Sequence, residues 1–353
     1  MTILLFLVLL SVIVVIHEAG HLFAAKRFGV YCYEFSFGMG PLLWKKKTNE
    51  TQYSIRALPI GGYVSMAGET DGDEAYPDVT VPTGRRLTEK PAWQRIIIML
   101  AGVFMNFVLA WVIFSMYILQ GGQIAISPKA VVAEVVAGSP AEQAGIEPGD
   151  MIVKIIKEDG SSIHPDTYSD IQSFTYGNQA PLTYVVSRDG EEISLSVIPE
   201  YNEEYERYMI GISGPEGEVK NVNLLNCWYY GAQEMASIAR LLLSVVSSLF
   251  RGIGFNQLSG PVGIYQATET YASYGFWAFL FLIGELSLNV GIFNLLPLPV
   301  LDGGQVVLVL CETIIRRKLS EKVKSGIMIA CWVLLIGIML AATWNDVSRL
   351  IMN

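Results

Sequence analysis

Apolar residues gather in long unbroken runs instead of recurring at helical or alternating spacing. Ile96–Leu119 and Gly326–Trp344 contain no charged residue, and each approaches the roughly 20 residues that a helix needs to cross a bilayer. Ile3–Ala25 is apolar apart from one cluster, His17-Glu18-Ala19-Gly20-His21. Phe276–Val300 carries a single acid, Glu285, and ends in a proline-rich stretch. The pattern predicts four transmembrane helices. The first is not expected to be a cleaved leader, because no basic residue precedes it and Lys26 and Arg27 follow it.

Between the runs the pattern changes. Tyr53–Gly68, YSIRALPIGGYVSMAG, alternates β-formers around Gly61-Gly62, which predicts a β-hairpin turning at the glycines. Thr70–Thr88 is rich in Asp, Pro, Gly and Thr and reads as a loop. A soluble domain is expected at Ile124–Ser213. In it Ala130–Val136 and Met151–Ile156 read as strands, and SPAEQAGIEPGD (Ser139–Asp150) reads as a short capped helix and a turn. Leu182–Arg188 and Glu191–Val197 flank Asp189-Gly190, a two-residue hairpin signal. Leu224–Phe250 is apolar at helical spacing but holds Glu234, Arg240 and several serines, so it is expected to lie in the membrane interface as an amphipathic helix.

Composition agrees with a membrane protein. Of 353 residues 52% are hydrophobic and 16% charged, with a mean hydropathy of +0.41, too apolar for an ordinary soluble enzyme. Basic residues set the expected orientation: Lys26–Arg95 holds ten of the 24, whereas Gly121–Tyr274 has eight against 19 acids. Basic loops stay in the cytoplasm, which places both termini and the acidic segment outside. Cys32, Cys227, Cys311 and Cys331 form no CxxC pair and read as free thiols.

The chemistry lies in the first run. His17-Glu18-Ala19-Gly20-His21 is an HExxH motif. Residues four apart share one helix face, so both imidazoles can reach one ion, and the glutamate between them can take a proton from water. An acid at mid-membrane costs roughly 2.5–3.5 kcal/mol on insertion scales, which argues for function over a packed polar patch. His164, the third histidine, reads as a surface residue. A catalytic zinc needs three protein ligands and an open position, so the third should be a carboxylate, Glu285 or Asp302. His17 and His21 lie roughly 6–14 Å from the Lys26 end of their span at 1.5 Å per residue. Asp302, near the inner end of another span, matches that depth better than Glu285. Its surroundings, NLLPLPVLDGG, would break a helix, and broken backbone at this depth belongs beside a cavity.

Two resemblances follow from these residues. GSPAEQAGIEPGDMIVKI is similar to PDZ domains of bacterial membrane and periplasmic proteases. The chain resembles the site-2 protease family, in the form that regulates bacterial sigma factors: HExxH in the first span, LPIGGYVSMAG (Leu58–Gly68), LSGPVGI (Leu258–Ile264) and NLLPLPVLDGG. Many relatives carry tandem PDZ modules, and only one is found here.

The resemblance implies a polytopic α-helical membrane protein with a membrane-reentrant β-hairpin and an inserted extracytoplasmic PDZ-like α+β domain. Its parts would be residues 1–123, 124–213, 214–274 and 275–353. It implies one Zn2+ on His17, His21 and Asp302, with Glu18 as base and Asn294 assisting substrate or the transition state. An unwound substrate would add as a strand to the hairpin, at Ser54, Gly61, Gly62, Tyr63 and Val64. Expected partners are the lipid bilayer, single-span proteins such as anti-sigma factors or remnant signal peptides, and a PDZ peptide ligand, with no nucleic acid. Two other readings are a zinc transporter, disfavoured by only three histidines, and an inactive PDZ scaffold with structural zinc, disfavoured by an intact Glu18.

Overall fold

The computed structural model describes residues 2–69, 73, 75–126, 128–176, 178–203, 207–250, 259–317 and 320–352. They form two compact units, Met1–Gln120 with Asn223–Asn353, and Gly121–Val222. The first unit opens with α1 (Thr2–Arg27), β1 (Cys32–Lys47), β2 (Gln52–Met66) and α2 (Ala92–Gly121). The second holds β3 (Gln123–Ile126), β4 (Glu134–Val135), α3 (Pro140–Gln143), β5 (Met151–Lys157), β6 (Ser162–Ile163), α4 (Tyr168–Tyr176), β7 (Leu182–Arg188) and β8 (Glu191–Val197). It ends with β9 (Glu200–Asn202), β10 (Arg207–Met209), β11 (Ile212–Ser213) and β12 (Glu218–Asn221). The chain then returns to the first unit as α5 (Cys227–Phe250), α6 (Pro261–Ser273), α7 (Phe276–Asn294), α8 (Asp302–Ile315) and α9 (Glu321–Met352).

Among the described residues four helices are long and apolar enough to cross a membrane: Thr2–Arg27, Ala92–Gly121, Phe276–Asn294 and Lys322–Arg349. A helix suits lipid because it satisfies its own backbone. Small residues let these helices approach closely. A methyl on Gly20 would collide with the Ala101 carbonyl of α2, and one on Gly291 with the Phe107 ring. Helix α5 lies against α2, where the Trp111 indole N–H donates to the Trp228 carbonyl at 2.9 Å.

The third span is shorter than its apolar run. Helix α7 ends at Asn294, and Asp302 opens a separate helix, α8. Pro297 and Pro299 lie between them, and proline removes a backbone donor and clashes with the preceding turn. The returning backbone presses on α8 so closely that a Cβ on Gly303 or Gly304 would strike the Leu295 or Leu298 carbonyl. The last helix is held differently. Its Asp346 is 2% exposed, and its Oδ2 accepts from the N–H groups of Gly260 and Gly263 at 2.8 Å each. A buried carboxylate thus caps the first turn of α6, where the helix dipole favours negative charge. This explains the glycines of LSGPVGI, whose Leu258 lies outside the described residues.

The β-segment between α1 and α2 differs from the expected hairpin. Its turn is at Thr48–Thr51, where the Thr48 N–H donates to the Thr51 carbonyl at 3.0 Å. Gly61 and Gly62 instead bend one long strand: Gly61 has φ +81°, and Gly62 pairs with Phe37. Both strands fold over, so Phe35 pairs with Val64 on one side and Tyr53 on the other. The result is four short ribbons in the order 62–66, 32–37, 52–56, 42–47. The centre is pinned by Glu34, which is fully buried. It accepts hydrogen bonds from Ser54, Tyr76 and Arg56. Part of the loop expected at Thr70–Thr88 lies outside the described residues.

The second unit has a sheet ordered β6-β5-β7-β8 over a core of Val132, Ile152, Ile155, Leu182, Tyr184 and Val186. Ser139 caps α3, and Asp189 and Gly190 both take positive φ in the β7–β8 turn, as a type I′ hairpin requires. The unit runs past the expected Ser213 because β12 pairs with β3. Asp150, 1% exposed, binds Arg188 through both oxygens at 2.8 Å and accepts from the Glu147 N–H at 3.0 Å. Burial opposes its charge, but the Arg188 guanidinium and the Glu147 N–H outweigh burial and lower its pKa. A depressed folded-state pKa stabilises the fold above the unfolded value, near 3.9, and the contribution is lost as pH falls through the folded value. Asp150→Asn should therefore destabilise this unit at neutral pH, with the difference from wild type closing below about pH 4. Hydrogen exchange of β5 and β7 amides in the intact protein measures this.

Candidate metal centre

Helix α1 carries His17 and His21 one turn apart on the face toward α2 and α8. Their Nε2 atoms lie 3.2 Å apart. Asp302 Oδ2 is 3.2 Å from His17 Nε2 and 3.5 Å from His21 Nε2. Within the described residues these three are the one group of three or more metal-ligating side chains, with ligand atoms inside 4.8 Å of one another. Glu285 is not part of it. The break between α7 and α8 makes the cluster, because it sets Asp302 at the start of a helix instead of along a continuous span.

The residues fit zinc. Bonds of about 2.0–2.2 Å at tetrahedral angles put ligand atoms roughly 3.3–3.5 Å apart, close to the spacing here. Asp302 Oδ2 is buried and has no hydrogen-bond partner of acceptable geometry, an expensive orphan unless a cation sits beside it. The far ring nitrogens are also engaged. His21 Nδ1 lies 2.8 Å from the Ile98 carbonyl, which fixes a proton on Nδ1 and leaves Nε2 its lone pair. His17 Nδ1 faces the Asn106 carboxamide at 3.3 Å, while Asn106 Oδ1 is buried and unpartnered. Turning that carboxamide over places Oδ1 on the ring N–H and frees His17 Nε2 for metal.

Sequence reasoning missed Asn106 and Gly102. Both lie on α2, and a Cβ on Gly102 would run into His21 Nε2 and His17 Cε1. Their signal was a glycine and an asparagine four residues apart in a charge-free apolar run, which names no partner.

Glu18 points to the sheet, where its Oε2 accepts the Val64 N–H at 3.1 Å. That strand segment pairs on one side only, so Val64 presents its donor on an open edge beside α1. Gly61, Gly62 and Tyr63 lead into the same edge. Ser54 must be corrected: it lies in an inner ribbon, paired with Ser36 and Lys45, and its side chain is buried on Glu34. It offers substrate no free edge. Asn294 is half-buried at the end of α7. His164 is exposed, in the other unit.

A His-His-Asp cluster beside helices long and apolar enough to cross a membrane, with a further acid next to it, could hold the metal of a membrane hydrolase. The chain belongs to Peptidase family M50, whose profile matches residues 5–338, and it is a membrane zinc metalloprotease of site-2 type. It is 34% identical to the Fusobacterium nucleatum protein FN1322, which carries a provisional zinc-metalloprotease name, over 99% of both chains. It is 30% identical to the "Regulator of sigma-W protease RasP" of Bacillus subtilis over 99% of both. A Shouchella clausii "Zinc metalloprotease RasP" is 29% identical, with 99% of each chain covered.

The packing around the histidines gives a test. Gly102→Ala should displace an imidazole and leave the purified protein largely without zinc. Asn106→Leu should weaken zinc binding about 10–100-fold. Metal analysis after dialysis against graded chelator measures both.

Proposed function

We propose that the chain cleaves peptide bonds within the transmembrane segments of single-span membrane proteins, with zinc held by His17, His21 and Asp302. The observation that carries this reading is the open strand edge at Val64, hydrogen-bonded to Glu18 beside the three-residue cluster. A substrate strand laid on that edge would bring its backbone to the acid and the ligands together.

Zinc bound there supplies a Lewis acid for the scissile carbonyl and acidifies a water. Glu18 takes the proton on its carboxylate and passes it to the leaving amine. The Val64 N–H holds Glu18 Oε2, leaving the other oxygen to receive the proton. Asn294, half-buried on the broken backbone, hydrogen-bonds the substrate carbonyl or its developing oxyanion.

The remaining expectations are part of the same proposal. The chain resides in a bacterial inner membrane, with its basic segments cytoplasmic and both termini and the acidic segment outside. The second unit is a PDZ-like domain that binds an extended peptide, and the substrates include anti-sigma factors and remnant signal peptides. The sigma-W name of the Bacillus subtilis relative favours that substrate class.

Glu18→Gln should keep zinc and lose cleavage of a candidate membrane span by at least about 100-fold, the scale of general-base catalysis. Asp302→Ala should lose activity and most of the zinc, whereas Glu285→Ala should keep the metal. Zinc retention by Asp302→Ala, or near-wild-type turnover by Glu18→Gln, overturns the assignment. Strand addition has its own test: helix-breaking residues in the substrate span should speed cleavage. Val64→Pro should slow it with zinc retained, both through the lost edge donor and through release of Glu18.

A further inference from the structure

Three contacts with α1 measure how deep the sheet reaches. Lys26 Nζ donates to the Tyr53 hydroxyl at 2.9 Å, the Val64 N–H meets Glu18, and the Ser11 hydroxyl donates to the Pro59 carbonyl at 2.8 Å. Ser11 and Lys26 lie about 22 Å apart along the helix at 1.5 Å per residue. The bend of β2 therefore reaches well into the hydrocarbon, while Tyr53 stays with Lys26 at the bilayer surface.

The outermost ribbon follows the same gradient. From Met39 to Lys47 every residue of β1 is exposed, and the sequence Met-Gly-Pro-Leu-Leu-Trp-Lys-Lys-Lys turns from apolar to basic. Leu43 is 68% and Trp44 50% exposed. Lys45 pairs with Ser54, Lys46 with Tyr53 and Lys47 with Gln52, so the three lysines lie at the level of Lys26. Trp44 stands just inside them, where an indole favours the interface. Among the described residues no acid forms an ion pair with Lys45, Lys46 or Lys47. The ribbon's outer edge is also open. Hydrogen-bonded and non-bonded pairs alternate in an antiparallel ladder. Counting from the Thr48–Thr51 bond, the N–H groups of Lys45 and Lys47 point outward, away from β2.

We propose that this edge, Trp44–Lys47 with Lys26, is a binding site for the phosphate headgroup of an anionic phospholipid. Lys45 and Lys47 share one face of the strand, so their two outward N–H groups and two ammonium groups supply donors for phosphate oxygens. Lys46, on the opposite face with its partner Tyr53, and Lys26, which donates to Tyr53, add positive field, while Leu42, Leu43 and Trp44 lie along the acyl chains. The lipid also covers an edge that would otherwise pair with another strand. The inference depends on membrane embedding alone and not on the proteolytic reading.

The test uses the full-length protein in bilayer discs of phosphatidylcholine with a minority of phosphatidylglycerol, counting retained lipids by native mass spectrometry. Wild type should retain phosphatidylglycerol in preference to phosphatidylcholine, less so as salt is raised. Replacing Lys45, Lys46 and Lys47 by Gln should weaken the preference by about fivefold per lysine. Replacing them by Arg should keep it, as should Arg316→Gln with Arg317→Gln, basic residues elsewhere in the same unit. Absence of the preference in wild type overturns the proposal whatever the variants do. So does an equal loss in the Arg316/Arg317 control, which marks general charge attraction instead of a site. Soluble glycerol phosphate should not displace the lipid, and displacement by it points to a free-phosphate site.

Discussion

Every polar group of this chain that enters the bilayer has to find its partner within the protein, because hydrocarbon offers none. The helices meet that demand alone; the sheet and the break between α7 and α8 do not. The sheet meets it by folding each long strand over itself, so that its inner ribbons are paired on both sides and the glutamate between them, Glu34, accepts from three side chains. The break between α7 and α8 meets it by lying directly on Gly303 and Gly304. Neither arrangement is needed to make a stable membrane helix bundle. Both are sites where backbone remains available to something else.

The metal site is the product of close packing as much as of its ligands. Gly20 brings α1 against α2, Gly102 leaves room for the two imidazoles, and the paired glycines after Asp302 admit the returning loop. Each removes a methyl that would stand where a ligand or its support must stand. Ile98 and Asn106 then hold the rear of the rings. An HExxH on a helix with bulky neighbours would carry the same ligands without a place to converge.

This division explains what could be read from the sequence. The four apolar helices, the helical HExxH and the placing of Asp302, not Glu285, beside the histidines were legible because each rests on local pattern or depth along one axis. The second unit's capped helix and its Asp189-Gly190 turn were legible for the same reason. The sheet was not. Gly61-Gly62 looks like a turn, but a glycine pair marks a bend as readily, and the choice was made by pairing between residues up to 34 positions apart, Cys32 with Met66. Ser54 was misplaced through that error. Asn106 was illegible because an asparagine in an apolar run shows that it needs a partner without showing which.

The Val64–Glu18 hydrogen bond joins two functions that are usually described apart. An edge strand recognises backbone and not side chains, so by itself it gives tolerance without timing. Here the donor beside the candidate metal site also holds the acid proposed as general base. A substrate strand that pairs along 62–66 must shift, share or replace that donor. Whichever occurs, Glu18 would respond to the backbone of the substrate before any side chain is read. Under the proposed function, the chain would thereby link unwinding of a substrate helix to the position of its proton acceptor through a single backbone N–H. Val64 tolerates many side chains for that role, but not proline.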